Sequence, residues 1–179
     1  MKKGFSKEVR FALFFLIFFG ALHFGYNSMR GSKLEKFAVD VVTVTPGAWL
    51  INTLSPDERV TASGKKLVSP HGTLTILNGC EGFESIFLLL AAIAAFSSSW
   101  LNKLSGFLIG IGMVYILNQA RIVILFFCFR YRKDWFDPIH SHIAPTLIIL
   151  IASLFFLGWV TIINNKANSK APNPKEPAE

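Results

Sequence analysis

Residues 80–97 read CEGFESIFLLLAAIAAFS. A thiol, two carboxylates and a glycine stand at the mouth of a run that has the composition of a membrane-spanning helix. The rest of the chain agrees with that setting. Hydrophobic residues make up 52% of the 179 positions, 18 of them phenylalanines, against 16% charged residues and a mean hydropathy of +0.47. A water-soluble globule of this size does not carry that balance, and the chain reads as an integral membrane protein. The formal charge of +7 does not point to nucleic acid, because Lys and Arg fall between and outside the apolar runs, where lipid headgroups meet them. Cys80 and Cys128 form neither a CxxC nor a Cys/His spacing, so no metal or cofactor is indicated.

Four runs are long enough to cross a bilayer: Phe11 to about Met29, about Gly82 to Leu101, Leu104 to about Phe129, and about Ile139 to Ile163. The expected fold is all-α, with about four transmembrane helices and a small extracytoplasmic cap between helices 1 and 2. Residues 1–29 form a cytoplasmic N-terminus and signal anchor, 30–79 the cap, 80–163 a three-helix membrane region that holds the site, and 164–179 a disordered cytoplasmic tail, polar and Pro-rich. Lys and Arg are nearly balanced between the two sides. The cluster Lys2, Lys3, Lys7 and Arg10 before the first span decides for cytoplasmic termini, and Arg130, Arg132 and Lys133 argue the other way. In the cap, the alternation VDVVTVT (39–45), a Pro46-Gly47 turn and TLTIL (73–77) read as strands and turns lying over the helix mouth. Gly106, Gly110 and Gly112 with Ser105 predict close helix packing.

An even number of crossings separates the polar residues of interest, so Cys80 before the second span, Asn118 and Arg121 late in the third, and His140 and His142 opening the fourth share one face of the membrane. An arginine inside a span costs about 2.5–3.5 kcal/mol on insertion scales and needs a partner or a task. Glu84, one turn into the second span, is the expected carboxylate partner of Arg121, and Asn118 shares a helix face with Arg121. A thiol near a helix N-terminus, an arginine and a histidine has the makings of a nucleophile, although Glu81 beside it opposes ionisation. If catalytic, Cys80 is expected to react with membrane-impermeant thiol reagents from outside, and faster than a plain thiol.

The stretches NGCEGFES (78–85), NQARI (118–122) and FDPIHSHIAP (136–145), in this order, resemble the exosortases and archaeosortases, membrane-embedded cysteine transpeptidase-like proteases, in a compact form. The resemblance implies Cys80 as nucleophile, Arg121 as stabiliser of the oxyanion or thiolate and His140 as proton carrier, with His142, Asn118 and Glu84 as alternatives or support. It implies cleavage of C-terminal sorting signals, with partners that are secreted proteins ending in a short motif, a transmembrane helix and a basic tail. It also implies a multi-pass protein of the cell inner membrane, surrounded by membrane lipids, with its site at the extracytoplasmic face.

Two other readings stand beside this one. In the first, the chain is a non-enzymatic membrane assembly or scaffolding protein, Cys80 is a small buried side chain, and Arg121 with Glu84 is a structural pair. The second, a transporter, requires polar residues at several depths, whereas here they gather at one end. Cys128 reads as packing, and a Cys80 to Cys128 disulfide would block the thiol.

Overall fold

The computed structural model describes residues 6–77 and 79–169, and helices dominate it. Helix α1 (Lys7–Ser28) is capped by Ser6, whose hydroxyl accepts from the Val9 N–H at 3.4 Å. None of its residues is buried, and Phe14, Leu16, Ile17 and Phe18 are exposed. An apolar circumference of this kind faces lipid, where a helix satisfies every backbone polar group internally.

Helix α2 (Lys33–Leu54) occupies the segment that alternation predicts to be a strand. Its π-helical stretch Phe37–Val44 and following α-helical turns bury Val39, Thr43, Val44, Ala48 and Ile51, which recur at near-helical spacing. Valine and threonine favour strands only where a pleated surface awaits them, and here a packed helical face overrides that preference. The Pro46-Gly47 pair lies inside this helix and makes no turn. The i to i−5 bonds of this stretch end with Thr45 N–H on the Asp40 carbonyl, just before Pro46, which has no N–H; at this junction the Tyr115 hydroxyl donates to the Val42 carbonyl at 2.9 Å.

A small antiparallel meander follows, β1 (Thr61–Ser63), β2 (Lys66–Ser69) and β3 (Gly72–Thr75), with Ala62 opposite Leu67 and Leu67 opposite Leu74. Helix α3 (Phe83–Ala95) comes next, then α4 (Trp100–Tyr131). The last helix, α5, begins as Lys133–Pro138, winds through a π-helical stretch Ile139–Ile143 and continues as Ala144–Ser169. Residues 164–169, expected in a disordered tail, thus belong to α5, and the remainder of that tail lies outside the described residues.

Four helices are long and apolar enough to cross a membrane, namely α1, α2, α4 and α5, and the protein is an all-α integral membrane protein with a small sheet appended. Three of them, α1, α4 and α5, match runs expected from sequence, and α2 is the fourth in place of the run 82–101. The run 82–101 yields only the 13-residue α3, because its helix stops after Ala95 and the next begins at Trp100. Side-chain contacts nevertheless place α3 through the same slab as α1. Phe83 packs on Tyr26 at 5.0 Å, while Phe96 packs on Phe156 and Trp159 at 6.3 and 5.6 Å. Phe11 of α1 reaches the same Phe156 at 6.3 Å. Helix α2 instead meets the later part of α4, with Val42 at Tyr115, Thr43 at Gln119 and Gly47 at Ile122. It therefore runs alongside the end of α4 as part of a cap.

Two apolar clusters follow from this layout. Leu89, Ile93, Val114, Ile148, Ala152 and Trp159 join α3, α4 and α5 within the slab. Val39, Val44, Ile51, Leu67, Leu74 and Phe126 join α2 and the sheet to the end of α4. Polar ties supplement the cap: Glu58 accepts from the Tyr131 hydroxyl at 2.6 Å and lies 3.6 Å from Arg130 Nε, and Lys65 donates to Glu35 at 2.6 Å. Of the small-residue stripe, Gly106 and Gly110 are close-packed, since a Cβ on either would stand 2.8 Å from Trp159 Nε1 or 2.7 Å from Leu89 Cδ2. Gly112 departs from the expectation and has nothing within 4 Å.

Candidate active site

Cys80 belongs to the second of the two apolar clusters, on a tight loop leading into α3. Gly79 and Gly82, with φ of +88° and +85°, flank Cys80 and Glu81 and let the chain reverse on both sides of the thiol. The Glu81 carboxylate accepts from the Gly79 N–H at 2.7 Å, and the Cys80 N–H donates to the Leu77 carbonyl at 3.0 Å. From α4, buried Asn118 donates to the Glu81 carbonyl at 3.0 Å. Any Cβ on Gly82 would sit 2.7 Å from the Asn118 Cγ, so backbone conformation and space both require glycine there. The pair of glycines around Cys-Glu was the sequence signal for this loop, and the membrane-run reading passed over it.

Arg121, three residues after Asn118 on the same face of α4, sends Nη2 to within 3.7 Å of the Cys80 Sγ and donates to the main-chain carbonyl of His140 at 3.2 Å. That carbonyl is free for a local reason. The bond register here is i to i−5, with Ala144 N–H on the Ile139 carbonyl, so the next donor in line for His140 would be residue 145, a proline. Arg121 is only 7% exposed, its Nε has no partner among the described residues, and no carboxylate of those residues lies within ion-pair distance of it.

The His140 ring completes the cluster, its Nδ1 at 3.8 Å and Nε2 at 3.7 Å from the Cys80 sulfur. Phe136 stacks on this ring at 5.4 Å with planes 10° apart. Near-equal distances to both nitrogens mean that the sulfur does not lie along either in-plane N–H or lone-pair axis. An in-plane sulfur equidistant from the two would press on Cε1 between them. The imidazole therefore stands partly face-on to the thiol, and a turn of the ring aligns a nitrogen with it. A cavity of about 20 Å³ lies beside Cys80 and His140, lined in part by Leu74, Ile76, Leu125 and Phe136, and is large enough for about one water.

The structure thus brings Cys80, Arg121, His140 and Asn118 together and leaves out Glu84 and His142. Glu84 is exposed, and no ion pair joins it to Arg121. The face of α3 that meets α4 carries Ile86, Leu89 and Ile93, and Glu84 is more than a quarter-turn off it. His142 is exposed, two residues and about half a turn of helix beyond His140. His71 is also exposed, and both cysteines are free thiols. Burial pushes the Cys80 thiol above its ordinary pKa; Arg121 pulls it down and Glu81 pushes it up again. With Cys80 only 8% exposed, this reverses the expectation of unusually fast thiol labelling in the substrate-free state.

Fold and site together define a polytopic membrane protein with a buried Cys/Arg/His cluster at one end of its helices, under a small cap. The family described as "Transmembrane exosortase (Exosortase_EpsH)" matches residues 3–159. The chain belongs to this family of transmembrane exosortases, a membrane protease or transpeptidase kind of enzyme. Neither the curated proteins nor the solved structures contain a significant match to it.

Proposed function

We propose that this chain is a cysteine transpeptidase or protease that cleaves C-terminal sorting signals of secreted proteins, with Cys80, Arg121 and His140 as its catalytic set. The observation that supports it best is a buried guanidinium with a sulfur at 3.7 Å and no carboxylate partner among the described residues. An unpaired buried cation is costly in a purely structural role, whereas it is matched when a thiolate or oxyanion forms against it.

In this reading His140 turns from its resting pose to take the proton from the Cys80 thiol, and Arg121 holds the resulting thiolate. The sulfur attacks the carbonyl carbon of the scissile peptide. As the tetrahedral intermediate collapses, the C–N bond breaks, the imidazolium returns its proton to the leaving amine, and the acyl group remains on Cys80 as a thioester. An acceptor amine, another nucleophile or water then attacks the thioester and releases the sulfur. Asn118 positions Cys80 by holding the Glu81 carbonyl. The substrate's own transmembrane helix lies beside α3, α4 and α5, with its motif under the cap. The protein resides in the inner membrane with this end extracytoplasmic, so that the processed body is already outside.

The test is co-expression with a secreted reporter that bears a C-terminal motif, helix and basic tail, followed by mass analysis of the membrane fraction. A covalent acyl adduct on Cys80, with processing abolished in Cys80→Ala, is expected. Processing that continues at full rate in Cys80→Ala sinks the proposal and favours the scaffolding reading.

A further inference from the structure

At the end of the helices opposite Cys80 lies a groove of about 950 Å³, within the range of small-molecule sites. It opens between the start of α1 and the second half of α5, closed on a third side by the end of α3. Phe11, Phe156 and Val160 form an apolar floor, and Phe14 and Leu157, both more than half exposed, leave the groove open to surrounding acyl chains. Lys7, Arg10 and Lys103 ring its outer end, with Glu8 as the one carboxylate among them and the Asn164 amide nearby. Lys103 is anchored by a 2.6 Å bond to the Ala94 carbonyl and retains two further N–H donors.

Depth decides what this combination of charge and apolar surface meets. From Lys103 to Arg121 α4 rises about 27 Å at 1.5 Å per residue, close to the thickness of a hydrocarbon core. The three cations therefore stand at the headgroup level of the leaflet opposite the thiol, while the floor extends into the hydrocarbon. We propose that this groove is a specific site for one anionic phospholipid, its phosphate held by Lys7, Arg10 and Lys103 and an acyl chain lying on Phe11, Phe156 and Val160. A free phosphate would leave the floor unused, and a basic peptide would meet a ring of like charge.

The experiment uses the purified full chain in mild detergent, titrated with phosphatidylglycerol or phosphatidylcholine of identical acyl chains and read by native mass spectrometry. One phosphatidylglycerol is expected to be retained about tenfold more tightly than phosphatidylcholine. The preference should collapse in Lys7→Gln/Arg10→Gln/Lys103→Gln and fall markedly in Lys7→Gln/Arg10→Gln, which spares the Lys103 anchor. It should persist in Arg132→Gln/Lys133→Gln at the other end. Equal retention of the two lipids, or a preference untouched by both groove variants, overturns the proposal. So does displacement of the lipid by millimolar inorganic phosphate, which would make the site one for a free anion. Preferential capture of an oligo-lysine peptide would assign the groove to a basic tail instead and overturns it equally.

Discussion

Cys80 spends the substrate-free state as a protected thiol. Its raised pKa means that the thiolate fraction at neutral pH is below that of free cysteine, so alkylation should be slower than for a free thiol and climb with pH beyond the range where a free thiol has levelled off. Stopped alkylation with mass detection across a pH series checks both the rate and the direction. The two histidines separate sharply in space. His140→Ala should lower turnover by about 10² to 10⁴, as for loss of a general acid-base, whereas His142→Ala and Glu84→Gln, both at exposed side chains, should stay within a few-fold of the parent in a reporter-processing assay. The cysteine, the arginine and both histidines were legible in sequence as residues of one membrane face. The motif resemblance favoured His140 over His142, but the contact of its ring with the sulfur was not legible, because that depends on the winding of α5 through Ile139–Ile143. The proposed Arg121–Glu84 pair failed for a similar reason: sequence places Glu84 at the right depth, and only the rotation of α3 turns it away.

At the scale of elements, Pro145 ends a backbone bond and leaves the His140 carbonyl for Arg121 on α4. Pro145→Ala would offer His140 a main-chain donor in competition with the guanidinium. Loss of a charge-assisted bond of this kind corresponds to about a tenfold drop in turnover with the helices intact, measured beside circular dichroism as the control. The loop before α3 is tighter still. Gly82→Ala combines a strained positive φ with a contact that Asn118 must yield, and should cost about 1–3 kcal/mol. Gly112→Ala, which meets nothing within 4 Å, serves as its neutral reference in thermal unfolding. Alternation in VDVVTVT pointed to a strand because period-two patterning was the only local signal available. Long-range packing of Val39, Val44 and Ile51 against Ile122 and Phe126 made the segment helical.

Across the whole molecule, the thiol sits where a membrane bundle meets a cap that shares little with it beyond α4. Glu58 ties the cap to the last turn of α4 through Tyr131 and Arg130. Glu58→Ala should therefore cost about 1–3 kcal/mol locally and raise hydrogen exchange and proteolysis in the cap, residues 33–77, while α1, α3 and α5 keep their protection. If exchange rises uniformly instead, cap and bundle form one cooperative unit. Apolar run length, charge placement and the three short motifs determined by themselves that this protein is a helical membrane protein with Cys80, Arg121 and His140 at one end, because burial in lipid is dictated by composition and helical rise. Tertiary structure decided that α2 packs with the cap although it is long enough to cross, and that α3, although short, lies along α1 from Tyr26 down to the level of Phe156. It also decided that His140, 60 residues from Cys80 in the chain, is the histidine at the sulfur. Those outcomes depend on helix rotation, on bond register around prolines and on packing between distant segments, and none of these is set by local sequence.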